Sequence, residues 1–87
     1  MEFEFDPAKS AANNAKHGID FEEAKQLWLD DNRFEMPLVS STERRHLVTG
    51  VIGEKFWTAI ITYRADRTRI ISVRRARTVE IEIYHSG

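Results

Sequence analysis

Between Lys55 and Arg74 the chain has room for little other than a β-hairpin. Phe56, Trp57, Ile60, Ile61 and Tyr63 crowd one run, and Ile70, Ile71 and Val73 the next. Aromatic and β-branched side chains of this kind suit a pleated, half-buried surface. Only a short turn around Ala65-Asp66-Arg67 parts the two runs. Upstream, Arg45 to Ile52 reads as a further strand, with Gly53-Glu54 as the tight turn before Lys55. Arg33 to Val39 reads as one more, and Pro37 confines it to a sheet edge. Strands joined by short turns make an antiparallel meander.

The segment before the strands is helical. Phe3 and Phe5 alternate with Glu2 and Glu4 as a short strand, then Asp6-Pro7 starts a helix as cap and first residue. Ala8, Ala11, Ala12 and Ala15 recur at helical spacing and predict close packing on a neighbour. Gly18 supplies a left-handed stop after Lys16 and His17. A second helix follows, with Asp20 and Glu23 at capping-box spacing and Phe21, Ala24, Leu27 and Trp28 as its buried stripe. Asp30-Asp31-Asn32 ends it. The tail is ambiguous: Val79, Ile81 and Ile83 alternate like a strand, whereas Ala76, Glu80 and Tyr84 share one helix face. Taken alone, the local pattern favours the strand.

The chain has 87 residues and no cysteine, so disulfides, thiolate zinc sites and a cysteine nucleophile are excluded. One α+β domain spanning 1–87 is expected, near the size where a single core only just suffices. No apolar run is long enough to span a membrane. The opening MEFEFDPAK is acidic where a secretory signal is basic and then apolar, so a cytoplasmic protein is the expectation. A formal net charge of -1 hides an asymmetry: residues 1–36 hold nine acids against four bases, and residues 37–87 nine bases against five acids. Six arginines (Arg64, Arg67, Arg69, Arg74, Arg75 and Arg77) fall within fourteen positions where only Asp66 opposes them. A basic face on an acidic body suits a polyanionic partner. The alternative is that the two halves neutralise each other across the fold.

Guanidinium is planar, permanently charged and bidentate toward phosphate oxygens. Whether Arg64 and Arg74 meet depends on strand register. An even hairpin loop that pairs Arg64 with Arg69 puts Arg74 on the other face, with Tyr63, Ile61, Ile70 and Ser72, and an odd loop swaps one strand's faces. In either case Arg74 and Arg75 point to opposite faces. His17 is the histidine whose placement suits general acid or base chemistry, imidazole being the side chain that titrates near neutrality; the alternative is that it only caps the helix C-terminus. No His or carboxylate spacing suggests a metal site. There is no glycine-rich phosphate loop and no Gly-x-Ser-x-Gly elbow.

FEFDPAK (3–9), NNAKHGIDFEEA (13–24), ERR (43–45), RIISVRRA (69–76) and a terminal Glu80…Tyr84 occur in that order. This arrangement resembles the BrnT family, toxins of BrnT/BrnA type II toxin–antitoxin systems, over nearly the whole chain. The resemblance implies a RelE-like α+β fold: a small antiparallel sheet, two N-terminal helices and a C-terminal helix. The tail is therefore expected to be helical from about Arg77 to Tyr84, with its apolar side docked on the sheet or the antitoxin. It implies a ribonuclease that arrests translation without metal or cofactor. It also implies a BrnA-like antitoxin that neutralises the toxin and represses the shared operon with it, so that DNA is met only through that complex.

On this reading the ribose 2′-hydroxyl attacks the adjacent phosphate. Arg64, Arg74 and Arg75 hold the phosphate, and His17, Lys16 or Tyr84 supplies proton transfer. Arg44, Arg45, Arg69 and Arg77 extend the RNA-binding surface. The rival reading is a non-catalytic module that uses the arginine-rich strand to bind nucleic acid or a protein partner.

Overall fold

The computed structural model describes residues 1–39 and 43–87. Strand β1 (Glu2–Glu4) leads into helix α1 (Pro7–His17), helix α2 (Phe21–Ala24) and a 3-10 helix (Lys25–Leu29). Strands β2 (Phe34–Leu38), β3 (Arg45–Ile52), β4 (Lys55–Arg64) and β5 (Arg67–Arg75) follow, then helix α3 (Thr78–Ser86). The five strands form one sheet in the order β1-β5-β4-β3-β2. The meander β2–β5 is antiparallel as expected, with β2 and its Pro37 at an edge. The sheet as a whole is mixed, because β1 pairs parallel with β5. That pairing joins residues more than sixty positions apart, and no local pattern encodes it.

The expected caps form. The Asp6 side chain accepts from the Ala8 N–H at 2.8 Å, and Pro7 opens α1. Gly18 takes φ 78°, a conformation that β-carbons disfavour, and closes the helix. Asp20 and Glu23 exchange backbone-to-side-chain bonds of 2.8 and 3.1 Å as a capping box. Phe21, Ala24 and Leu27 are buried, and Trp28 is half-buried against the core. They pack with Ile19, Val48, Trp57, Ala59, Ile61, Ile70 and Val73.

One face of α1 overturns the sequence reading. Ala8, Ala11, Ala12 and Ala15 are all exposed, whereas Ser10 and Asn13 are buried. Alanine has little surface to remove from water. Ser10 and Asn13 instead satisfy backbone groups that would otherwise be stranded, at a penalty of about 1–3 kcal/mol each. Ser10 Oγ accepts from the Phe21 N–H at 2.8 Å, and Asn13 bonds to Ile19 and Val73.

The tail is helical, and α3 lies on the sheet face opposite α2. The opposition follows from alternation: Val48 and Ala59 point to the apolar core, while their neighbours Thr49 and Thr58 point to α3. The docking of α3 is partly apolar, with Tyr84 edge-on to Phe56 and Ile81 and Ile83 half-buried, and partly polar. Glu80 is the buried residue of α3, and Val79 is exposed. Thr58 donates to Glu80 at 2.9 Å and so accepts from Thr49, 2.6 Å away.

Candidate functional site

The β4–β5 hairpin decides which arginines share a face. Its loop is even, with Arg64 opposite Arg67 and Thr62 opposite Arg69. The register then shifts between Ile61–Ile70 and Ile60–Ser72, leaving Ile71 unpaired in β5 as a bulge. Beyond it Thr58 faces Arg74 and Trp57 faces Arg75. The bulge thus brings Arg74 to the face of Arg64, where a regular ladder would part them. Sharing a face does not bring them together: Arg64 lies six positions along β4 from Thr58, roughly 20 Å at strand rise.

The two ends of this face differ. At the α3 end, Arg74 donates from both terminal nitrogens to Glu80, each at 2.8 Å. The side chains are 23% and 6% exposed. That bidentate pair, the Arg77 N–H and the Thr58 hydroxyl outweigh burial and pull the Glu80 carboxyl down to about 2. The pair raises Arg74 in turn. Arg75 is exposed on the other face, its guanidinium 5.5 Å from the centre of the Trp57 ring. Arg77, also exposed, caps α3 through its backbone.

At the hairpin end, Arg69 meets Glu4 at 2.9 Å and Arg67 lies 3.7 Å from both Glu2 and Glu4. The hydrogen bond from Arg69 holds the Glu4 carboxyl below its ordinary value. Arg45 meets Glu43 at 3.4 Å, and its Nε is buried without a partner among the described residues. Arg44 and Arg64 are exposed. The Arg44 carbonyl accepts from the Thr62 hydroxyl.

Tyr84 belongs to a third place. Its hydroxyl donates to Asp30 at 2.8 Å, and the same carboxylate oxygen accepts from the Val51 N–H at 2.9 Å. Burial and the bond to Asp30 raise the Tyr84 pKa, so it stays protonated as a donor. Burial pushes the Asp30 carboxyl up, but the Asn32 and Val51 N–H groups and Tyr84 more than reverse it. Asp30 thereby links the 3-10 helix, β3 and α3.

Lys16 and His17 meet β5 from its outer side. A groove of about 290 Å³ runs between the end of α1 and the bulge, lined by Lys9, Ala12, Asn13, Lys16, His17, Phe21, Ile71 and Ser72. Two lysines and a histidine line it, and no carboxylate does. The other histidines are engaged elsewhere. His46 lies 3.3 Å from Glu35, which also binds the Tyr63 hydroxyl, and His85 packs on Phe56 and Tyr84. Among the described residues no three His, Asp or Glu side chains gather as a metal-ligand group.

The ten residues singled out from sequence therefore divide among four places. Sequence reasoning missed Lys9, Asn13 and Ser72 in the groove, Glu80 as the partner of Arg74, and Asp30 as the partner of Tyr84. A signal for Asn13 was present: Ser10, Asn13 and His17 fall at i, i+3 and i+7, the spacing of one helix face.

No curated protein matches the chain significantly. A protein family described as "Ribonuclease toxin, BrnT, of type II toxin-antitoxin system" matches residues 5–80. A match over most of the chain, spanning α1 through β5 and the start of α3, makes the protein a member of the BrnT family of ribonuclease toxins.

Proposed function

We propose that this toxin cleaves RNA without a metal ion and that the α1–β5 groove holds the scissile phosphate. The observation that carries the reading is the convergence of Lys9, Lys16 and His17 on one groove with no carboxylate in its lining. In the reaction the 2′-oxygen attacks phosphorus and the P–O5′ bond breaks. His17 takes the proton of the 2′-hydroxyl as base, and the imidazolium so formed, directly or through water, returns a proton to the leaving 5′-oxygen. Lys16 and Lys9 stabilise the charge that builds on the phosphate oxygens. The products are a 2′,3′-cyclic phosphate and a 5′-hydroxyl end.

Arg75, Arg64, Arg44, Arg45, Arg69 and Arg77 hold flanking phosphates. Arg74 enters as a brace, since Glu80 occupies the edge of its guanidinium that a phosphate would take. Tyr84 anchors α3 through the hydrogen bond it donates to Asp30. Cutting messenger RNA in the cytoplasm inhibits translation. A toxin of this family has a protein antitoxin as its partner. We assign that role to a BrnA-like protein that covers the basic surface and represses the operon with the toxin.

Antitoxin-free protein incubated with RNA in EDTA tests this directly. Cutting is expected to persist, and complete loss on chelation would remove the metal-free mechanism. His17→Ala is expected to lower kcat about 100-fold or more, the usual scale of acid–base assistance, while RNA binding stays within about 3-fold. His46→Ala is expected to cut normally. Salt-sensitive RNA binding with no product from the unmutated protein would support the binding-module reading instead.

A further inference from the structure

We propose that Asn13 is a positioning residue for RNA cleavage, holding both walls of the groove and locking the bulge at Ile71. The inference rests on the reading of that groove as the cleavage site.

Asn13 lies inside α1, where asparagine is a poor helix former, yet it is 8% exposed. Its Oδ1 accepts from the Val73 N–H at 3.1 Å and its Nδ2 donates to the Ile19 carbonyl at 2.8 Å. The amide orientation is forced, because an N–H only donates and a carbonyl only accepts. One bond holds the strand that carries Ser72. The other holds the loop that begins directly after His17. These are the two walls of the groove.

The bond to Val73 has a second consequence. Pairing of β1 with β5 stops at Arg69, so past that point β5 lacks a strand on its outer side. Asn13 takes the Val73 N–H there, two residues past the unpaired Ile71. Without that acceptor the bulge loses its anchor. A regular ladder would then turn residues 72–75 to the opposite faces, away from Glu80 and Trp57. A single amide thus sets the position of Ser72 relative to His17 and the register of Arg74 and Arg75.

Ser10 provides the control. It makes a buried bond of the same kind to the Phe21 N–H at 2.8 Å, but it does not line the groove. The test compares Asn13→Leu, Asn13→Asp, Ser10→Ala and His17→Ala in steady-state cleavage of an RNA oligonucleotide, with rates corrected for the folded fraction. Asn13→Leu is expected to lower kcat about 100-fold, the scale of an ångström-sized misplacement, with KM within about 3-fold. Asn13→Asp keeps the acceptor for Val73 and is expected to fall in between. Ser10→Ala is expected to lose stability and keep its kcat.

Wild-type kcat in a folded Asn13→Leu protein, or an equal loss in Ser10→Ala, would overturn the positioning role. An active His17→Ala would overturn the groove itself. Amide hydrogen exchange on the unmutated protein supplies a reading that does not depend on how the variants fold. Val73 is expected to be protected like Ile61 and Ile70, and fast exchange at Val73 would overturn the proposal.

Discussion

Glu80 shows what one side chain can hold together. Its carboxylate receives Arg74, Thr58 and the Arg77 N–H, so a buried charge is matched on several sides. Its pKa falls from the ordinary 4.5 to about 2. A carboxyl depressed in the folded state contributes stability above pH 4.5 and loses it as pH falls toward 2. At neutral pH the difference is on the order of 3 kcal/mol for a side chain so little exposed. Glu80→Gln is expected to lower the unfolding free energy by about 3 kcal/mol, since it leaves the Arg74 charge uncompensated. The variant should also flatten the acid limb of a stability-versus-pH curve between about pH 4.5 and 2. Chemical denaturation over that range checks both effects.

The element scale turns on connections. Gly18 has φ 78° and open space where a β-carbon would sit, so the strain of substitution there is backbone strain alone. Gly18→Ala is expected to destabilise by about 1 kcal/mol and Gly18→Asn by less, read from denaturant midpoints. The β4–β5 turn offers the converse. Ala65 sits at φ 53° beside a cross-strand pair of like charges, Arg64 and Arg67. Ala65→Gly relieves left-handed strain of about 1–2 kcal/mol but gives the unfolded chain more freedom, worth about 0.4–1 kcal/mol. A small rise in Tm is expected. Helix α3 is held by the hydrogen bonds of Glu80 and Tyr84 together with the packing of Tyr84 and His85 on Phe56.

Across the whole molecule, acidic and basic halves are interleaved, and only part of the basic surface is left for a partner. Glu2 and Glu4 lie beside Arg67 and Arg69, whereas Arg44 and Arg64 are exposed. Single-stranded RNA binding is expected to weaken with salt at a slope of about -0.7 per phosphate contact. Arg64→Ala should reduce that slope by about one contact and Arg67→Ala by less, as measured by salt titration of an RNA oligonucleotide.

The chain alone determined the meander, the caps at Asp6, Gly18 and Asp20, and the core stripe of Phe21, Ala24 and Leu27. All of these follow from turn chemistry and from periodicities of a few residues. Helix α3 was legible only through family resemblance, because β-branched alternation hid it. Tertiary structure decided the parallel pairing of β1, the burial of Ser10 and Asn13 in place of the alanine face, and the bulge at Ile71. Each depends on a bond between distant residues, such as Asn13 with Val73 or Arg74 with Glu80. A one-residue slip reverses every side chain beyond it. For that reason the composition of the arginine run was plain in the sequence, while the face and partner of each arginine were not.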